Sequence, residues 1–159
     1  MASWRFNVFI SHVHEDDSGL QGIKDLLKRQ HCYIRDASIH SEKPNNATSD
    51  QYIKSGILAP RIRWAGTMLV YLSHETCKSD YVNWEIEYAQ RQGLRIVGVW
   101  SQGNTDAQHP DALDKYAHAV VGWRSDRILD AIRGRINNWE NPDGTTRSER
   151  SIRRVKCQH

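Results

Sequence analysis

A chain of 159 residues, 38% hydrophobic and 26% charged, suits one globular domain and is too short for a barrel of eight strand–helix units. The net charge of +3 resides in residues 141–159, where Arg147, Arg150, Arg153, Arg154 and Lys156 outnumber Asp143 and Glu149. The remaining body is formally neutral, which argues against a dedicated nucleic-acid-binding surface. Cys32, Cys77 and Cys157 are too scattered for a disulfide framework or a zinc pattern, and no apolar run approaches the roughly 18 residues of a transmembrane helix. The N-terminus shows no basic region leading into an apolar stretch, so the expected location is cytoplasmic, with no membrane partner.

Arg5-Phe-Asn-Val-Phe-Ile-Ser11 reads as a first strand. Asp17 or Ser18 can cap a helix in which Leu20, Ile23, Leu26 and Leu27 recur at helical spacing up to about Gln30. Cys32-Tyr-Ile-Arg35 is a second strand ending near Asp36, and the polar residues 40–50 read as a loop. Tyr52, Ile53, Ile57 and Ile62 suggest a second helix, bent near Gly56 and Pro60. Gly66-Thr-Met-Leu-Val-Tyr-Leu-Ser73 is almost wholly apolar, as in a strand buried on both faces. Ser79 can cap a third helix that runs to about Gln92 and stops at Gly93. Leu94–Trp100 is a fourth strand, a short helix follows over 111–117, and Ala119-Val-Val-Gly122 is a fifth strand. Ser125 is then expected to cap a last helix carrying Ile128, Leu129, Ile132 and Ile136. Gly98 and Gly122 lie in strands, where they serve packing. Trp100 and Trp123 follow strands 4 and 5 as core or rim residues.

Strands joined by helical crossovers run parallel, with helices on both faces. The expected fold is therefore α/β: a doubly wound, flavodoxin-like, five-stranded parallel sheet of order 2-1-3-4-5 over residues 1–140. A basic, dispensable tail over 141–159 follows. In that order the connections reverse between strands 1 and 3, and a crevice opens at their C-terminal ends. It is expected to be lined by Ser11 to His14, Asp36, Ser73 to Thr76 and the helix after strand 3.

On that helix Val82, Ile86 and Ala89 form an apolar stripe, and Tyr81, Glu85 and Tyr88 form the neighbouring one. Glu87 points to the far side. The spacing fits a partly desolvated carboxylate at the crevice, and it equally fits a solvated glutamate that complements the helix dipole. His12 and His14 have a His-x-His metal spacing, but no second ligand motif accompanies them, so a metal-dependent phosphoesterase is the weaker alternative. Acids follow strand 1, as in receiver domains, yet Ser73 and Trp123 occupy the places where a receiver needs Asp and Lys. There is no Gly-rich phosphate loop.

Several segments, in order, resemble the TIR family. Asn7-Val-Phe-Ile-Ser11 is similar to its first box and Tyr33-Ile-Arg-Asp36 to its second, which leads into the BB loop. Ala65–Ser73 and Ser79–Glu87 are similar to the third strand and the following helix. Ala119–Ile132 resembles the prokaryotic TIR-like group that includes ThsB of the Thoeris anti-phage system. In NAD⁺-cleaving TIR domains an aromatic precedes the catalytic Glu by four positions, and Tyr81 and Glu85 reproduce that spacing. The second box lacks the usual Pro-Gly, and the aromatic is Tyr rather than Trp.

The resemblance implies an NAD⁺ nucleosidase or cyclase in which Glu85 is catalytic and Tyr81 walls the nicotinamide. It further implies that Ser11, His12, Asp36, Ser73 and Trp84 bind substrate, with no metal and no cofactor beyond NAD⁺ as substrate. Its products are ADP-ribose, a cyclic isomer or a conjugate, acting as a second messenger on a separate effector. Self-association into an oligomer or filament is implied too. The alternative from another class is a non-catalytic adaptor that recruits partners through the loop at 37–49.

Overall fold

The computed structural model describes residues 4–13, 17–36, 56 and 58–147. Among them, β1 (Trp4–Ser11), β2 (Cys32–Asp36), β3 (Thr67–Leu72), β4 (Arg95–Trp100) and β5 (Ala119–Val121) form one sheet of order β2-β1-β3-β4-β5. All four pairings are parallel. The helices are α1 (Asp17–Lys28), α2 (Ala59–Trp64), α3 (Asp80–Arg91), α4 (Asp111–Tyr116) and α5 (Ser125–Ile132), with a 3-10 turn at Thr76–Lys78 before α3. None of these helices is long and apolar enough to cross a membrane.

Strand side chains alternate between faces, so each strand feeds two cores. Val8, Ile10, Leu69, Tyr71, Val97, Val99 and Val121 pack with Leu20, Ile23 and Leu27 of α1 and Ile128 and Ile132 of α5. Phe9, Met68, Val70, Leu72, Ile96 and Val120 pack on the other face with Ile62 of α2, Val82, Ile86 and Ala89 of α3 and Leu113 of α4. Helices on both faces explain the continuous apolar runs: β3 is buried at every position. Gly98 is confined on the second face, where a Cβ would lie 3.0 Å from Leu72 and 3.1 Å from Val120.

Helix boundaries follow local chemistry. Ser79 accepts from Val82 N–H (3.2 Å) as the N-cap of α3, and Gly93 at φ +79° ends the turn beyond it. Pro60 stands in the first turn of α2, where its missing N–H costs nothing, and Gly56 and Leu58 just before it have π-helical geometry. Tyr52, Ile53 and Ile57 lie outside the described residues. Ser125 is the first residue of α5 and not its cap; that place is held by Arg124, while the Ser125 hydroxyl accepts from Gln30 (3.4 Å). α5 ends at Ile132, before Gly134 at φ +83°, so Ile136 is buried from the segment that follows. Gly122 has no atom within 4 Å of its would-be Cβ, so the packing role expected for it is absent.

Residues 138–147 fold back along the free edge of β5. Val120 N–H donates to Asn138 O (3.0 Å), Glu140 N–H donates to Val120 O (2.8 Å), and Trp139 bridges Val120 in parallel. Trp100 Nε1 donates to Glu140 O (2.7 Å), and the buried Glu140 carboxylate is paired with Arg127 and accepts from Gly122 N–H (3.2 Å). Arg147 closes the turn: its guanidinium lies 4.0 Å from the Trp139 ring centroid and 3.1 Å from Asp114.

A boundary after residue 140 would sever that clamp, and we propose that the folded unit extends to Arg147. Deleting 148–159 is expected to leave the thermal midpoint unchanged. Deleting 141–159 is expected to cost on the order of 2 kcal/mol, roughly 5 °C in a calorimetric melt. Equal melting of the two truncated proteins would return the boundary to residue 140.

Candidate active site

The alternation that sends Val8 and Ile10 to one core and Phe9 to the other directs Ser11, the last residue of β1, toward α3. Ser11 pairs with Val70 of β3, at the point where the connections from β1 and β3 diverge. Its hydroxyl donates to Glu85 Oε1 at 2.7 Å. Ser11 is fully buried and Glu85 is 5% exposed.

Glu85 is deeper than its spacing implies. Val82, Glu85, Ile86 and Ala89 are all buried, so the carboxylate stands in the apolar stripe itself, between half-buried Tyr81, Trp84 and Tyr88. The reason is that α3 packs against α2 and α4 as well as the sheet, which widens its covered arc. Burial pushes the Glu85 carboxyl from its ordinary value near 4.5 up to about 8, and the hydrogen bond from Ser11 opposes that rise. Glu87, two residues on, is exposed.

Other expected site residues are distributed differently. His12, half-buried just past β1, donates from Nδ1 to Ile10 O (3.1 Å). Ser73 belongs to the turn after β3: Glu75 N–H donates to its hydroxyl (3.2 Å), which also lies 3.1 Å from Thr76 Oγ1. Thr76 in turn donates to Tyr71 O (2.7 Å) and accepts from Ser73 N–H (3.0 Å). Asp36 ends β2 opposite Val8, three residues short of Ser11, or about 10 Å along the strand. Trp84 stacks on Tyr88 (centroids 5.2 Å apart, 15° between planes), and Tyr88 accepts from Arg63 Nη1 (2.7 Å). His14 and the loop at 37–49 lie outside the described residues. Among the described residues no group of three His, Cys, Asp or Glu side chains is placed to hold a metal ion.

Three supports of the site are missing from the sequence reading. Asn83 ties α3 to α4 by accepting from Ala112 N–H (3.0 Å). Arg63 fixes the Trp84–Tyr88 stack from α2. His74 and Asp106, 2.6 Å apart, join the loops after β3 and β4. The Ser73-x-x-Thr76 turn, by contrast, carries a local signal, that of a hydroxyl-capped turn. The three supports are contacts between distant segments.

A doubly wound α/β domain with one buried carboxylate beside the β1/β3 divergence has the architecture of a TIR-like domain. Residues 9–106 match the family described as Thoeris protein ThsB, TIR-like domain, and the chain belongs to that family. Among solved structures, a conserved protein from Enterococcus faecalis V583 is similar over 85% of this chain and all of its own, with a TM-score of 0.53 and 12% identity. The Clostridium botulinum CMP N-glycosidase BcmB is similar over 82% of this chain and 99% of its own, with a TM-score of 0.46 and 11% identity. The first likeness is one of fold alone, and the second carries no functional weight. No curated protein matches the chain in sequence.

The raised Glu85 pKa has a cost in stability. Folding favours the protonated carboxyl, so this group's contribution is complete below about pH 4.5 and is lost as pH rises toward 8. Glu85→Gln, which cannot ionise, is expected to stabilise the fold at pH 7 by on the order of 3 kcal/mol. The gain should grow between pH 4.5 and 8 and level off above. Denaturant titrations at several pH values check this, and a pH-independent gap between the two proteins would refute it.

Proposed function

We propose that the domain cleaves the bond between nicotinamide and ribose in NAD⁺, with Glu85 as the catalytic carboxylate. The observation that carries this reading is a carboxylate buried in the apolar stripe of α3, held by a Ser11 hydrogen bond at the carboxyl edge of the sheet. Membership in the ThsB TIR-like family supports it. Structural economy does not explain such a group, because an apolar residue in this stripe would avoid the desolvation penalty. Strongly perturbed carboxyls in clefts are often functional for that reason.

The chemistry follows from charge. In NAD⁺ the positive charge sits on the nicotinamide ring, and as the glycosidic bond lengthens it passes to the ribose as an oxocarbenium-like centre. Nicotinamide leaves neutral with the bonding pair. A nearby carboxylate stabilises the new cation, and does so more strongly in a desolvated site than in water. The approaching cationic ring also favours the ionised form of Glu85, so substrate binding lowers its pKa and releases a proton. Tyr81 walls the nicotinamide. Trp84, His12, Asp36 and Ser73 are proposed as outer contacts to ribose or phosphate.

Capture of the ribosyl cation by water gives ADP-ribose. Capture by a group of the same molecule gives a cyclic isomer, and capture by an amino acid gives a conjugate. We favour a cyclic or conjugated product acting as an antiviral second messenger on a separate effector, in keeping with the Thoeris family. Self-association into an oligomer or filament that completes the site belongs to the same proposal. A pure adaptor leaves the buried Glu85 without a purpose.

The decisive assay is NAD⁺ consumption with product chromatography, at high protein concentration under crowding. Wild type is expected to release nicotinamide at a rate that climbs as pH approaches 8. Glu85→Gln should lower turnover by about 10³-fold, and Glu87→Gln should leave it near wild type. Equal turnover in all three proteins would remove Glu85 as the catalyst.

A further inference from the structure

We propose that Ser11 is a positioning residue: from the last place in β1, its hydroxyl fixes the direction of the Glu85 carboxyl and holds its ionised form, without touching substrate. The role rests on the reading of Glu85 as the catalytic group. TIR resemblance makes Ser11 a substrate contact, but it has no exposed surface, and its hydroxyl points into the protein at Glu85 Oε1, 2.7 Å away. Backbone geometry commits it to that direction. Val8 and Ile10 face the opposite core, so the next residue of a regular strand must face α3, and pairing with Val70 fixes its height in the sheet. A rigid strand end is a more exact support than a loop.

A carboxyl in an apolar stripe ionises more readily with a donor beside it, because a hydrogen bond to the charged form favours that form. Ser11 supplies one. Among the described residues, and apart from half-buried Tyr81 of α3, charged and titratable groups on the surrounding elements are engaged elsewhere, packed in the cores or exposed. On α2, Arg63 donates to Tyr88 and Arg61 is exposed. On β4, Arg95 donates to Ala131 O and Ile136 O. On α4, Asp114 pairs with Arg147 and lies 3.1 Å from His109 Nε2, while Asp111 and Lys115 are exposed. Tyr116 of α4 packs against the second core, and Tyr71 of β3 faces the first. His12, past β1, donates to Ile10 O. On α3 itself Asp80, Glu87 and Arg91 are exposed. The ionisation of Glu85 is governed by burial first and by Ser11 second.

The test is a carboxyl-¹³C NMR titration of Glu85 in the full chain, alongside the pH dependence of NAD⁺ cleavage. Ser11→Ala is expected to raise the Glu85 midpoint by about one pH unit. The rising limb of kcat should move by the same amount, with KM for NAD⁺ unchanged. Ser11→Thr, which keeps the hydroxyl, should return both toward wild type. An unmoved midpoint in folded Ser11→Ala overturns the proposal, as does a raised KM with a fixed midpoint, the mark of a substrate contact. Should Ser11→Ala fail to fold, Ser11→Cys, a weaker donor of similar shape, gives the same comparison. If wild type cleaves no NAD⁺, the functional reading falls, and the midpoint still decides the role of Ser11.

Discussion

The hydrogen bond between Ser11 and Glu85 joins the end of the second element in the sheet order to a helix from the far side of β3, and the site depends on it. An unpartnered carboxylate at this depth faces a desolvation penalty that a domain of this size cannot absorb lightly. With the hydroxyl in place, Glu85 remains costly yet oriented. Oriented charge in a desolvated site is what the proposed stabilisation of a ribosyl cation would require. Under that proposal, stability and activity pull on this residue in opposite directions.

The scaffold around that pair is built to resist movement. The Ser79 cap sets where α3 begins, and therefore which residues face the sheet. Asn83 ties the first turns of α3 to α4, and the Ser73–Thr76 turn fixes the path from β3 into the helix. Each tether uses a polar side chain to satisfy backbone groups at the carboxyl edge of the sheet, where regular hydrogen bonding ends. The Trp84–Tyr88 stack, anchored by Arg63, stiffens the half-buried flank of the same helix.

At the other end of the sheet the short edge strand β5 is covered by residues 138–147. Edge strands left open invite pairing with other chains, and here the return segment takes up those backbone groups while Glu140 and Arg147 pin it down. The local sequence, rich in Asn, Pro, Asp, Gly and Thr, looks like a linker. Only the partners it meets, Arg127, Trp100 and Asp114, make it part of the fold.

Much of the architecture was legible in one dimension. Apolar runs over 67–72 and 95–100, helical spacing in 20–27 and 82–89, the cap at Ser79 and the stop at Gly93 are local signals, and they report which face of each element is apolar. They also place Glu85 beside the apolar stripe, in line with Tyr81 and Tyr88, and distinguish it from Glu87 on the far side, yet they fit a solvated glutamate equally well. What they cannot report is who stands opposite. The depth of Glu85 was decided by α2 and α4 closing on both sides of α3. Its donor lies 74 residues earlier in the chain. The Ser73 hydroxyl was drawn into its own turn, and the segment from Glu140 to Arg147 became structure through contacts with Trp100, Asp114 and Arg127. Periodicity fixes orientation about one element's own axis, whereas desolvation and hydrogen bonding are set by neighbours in space, and those exist only once the chain has folded.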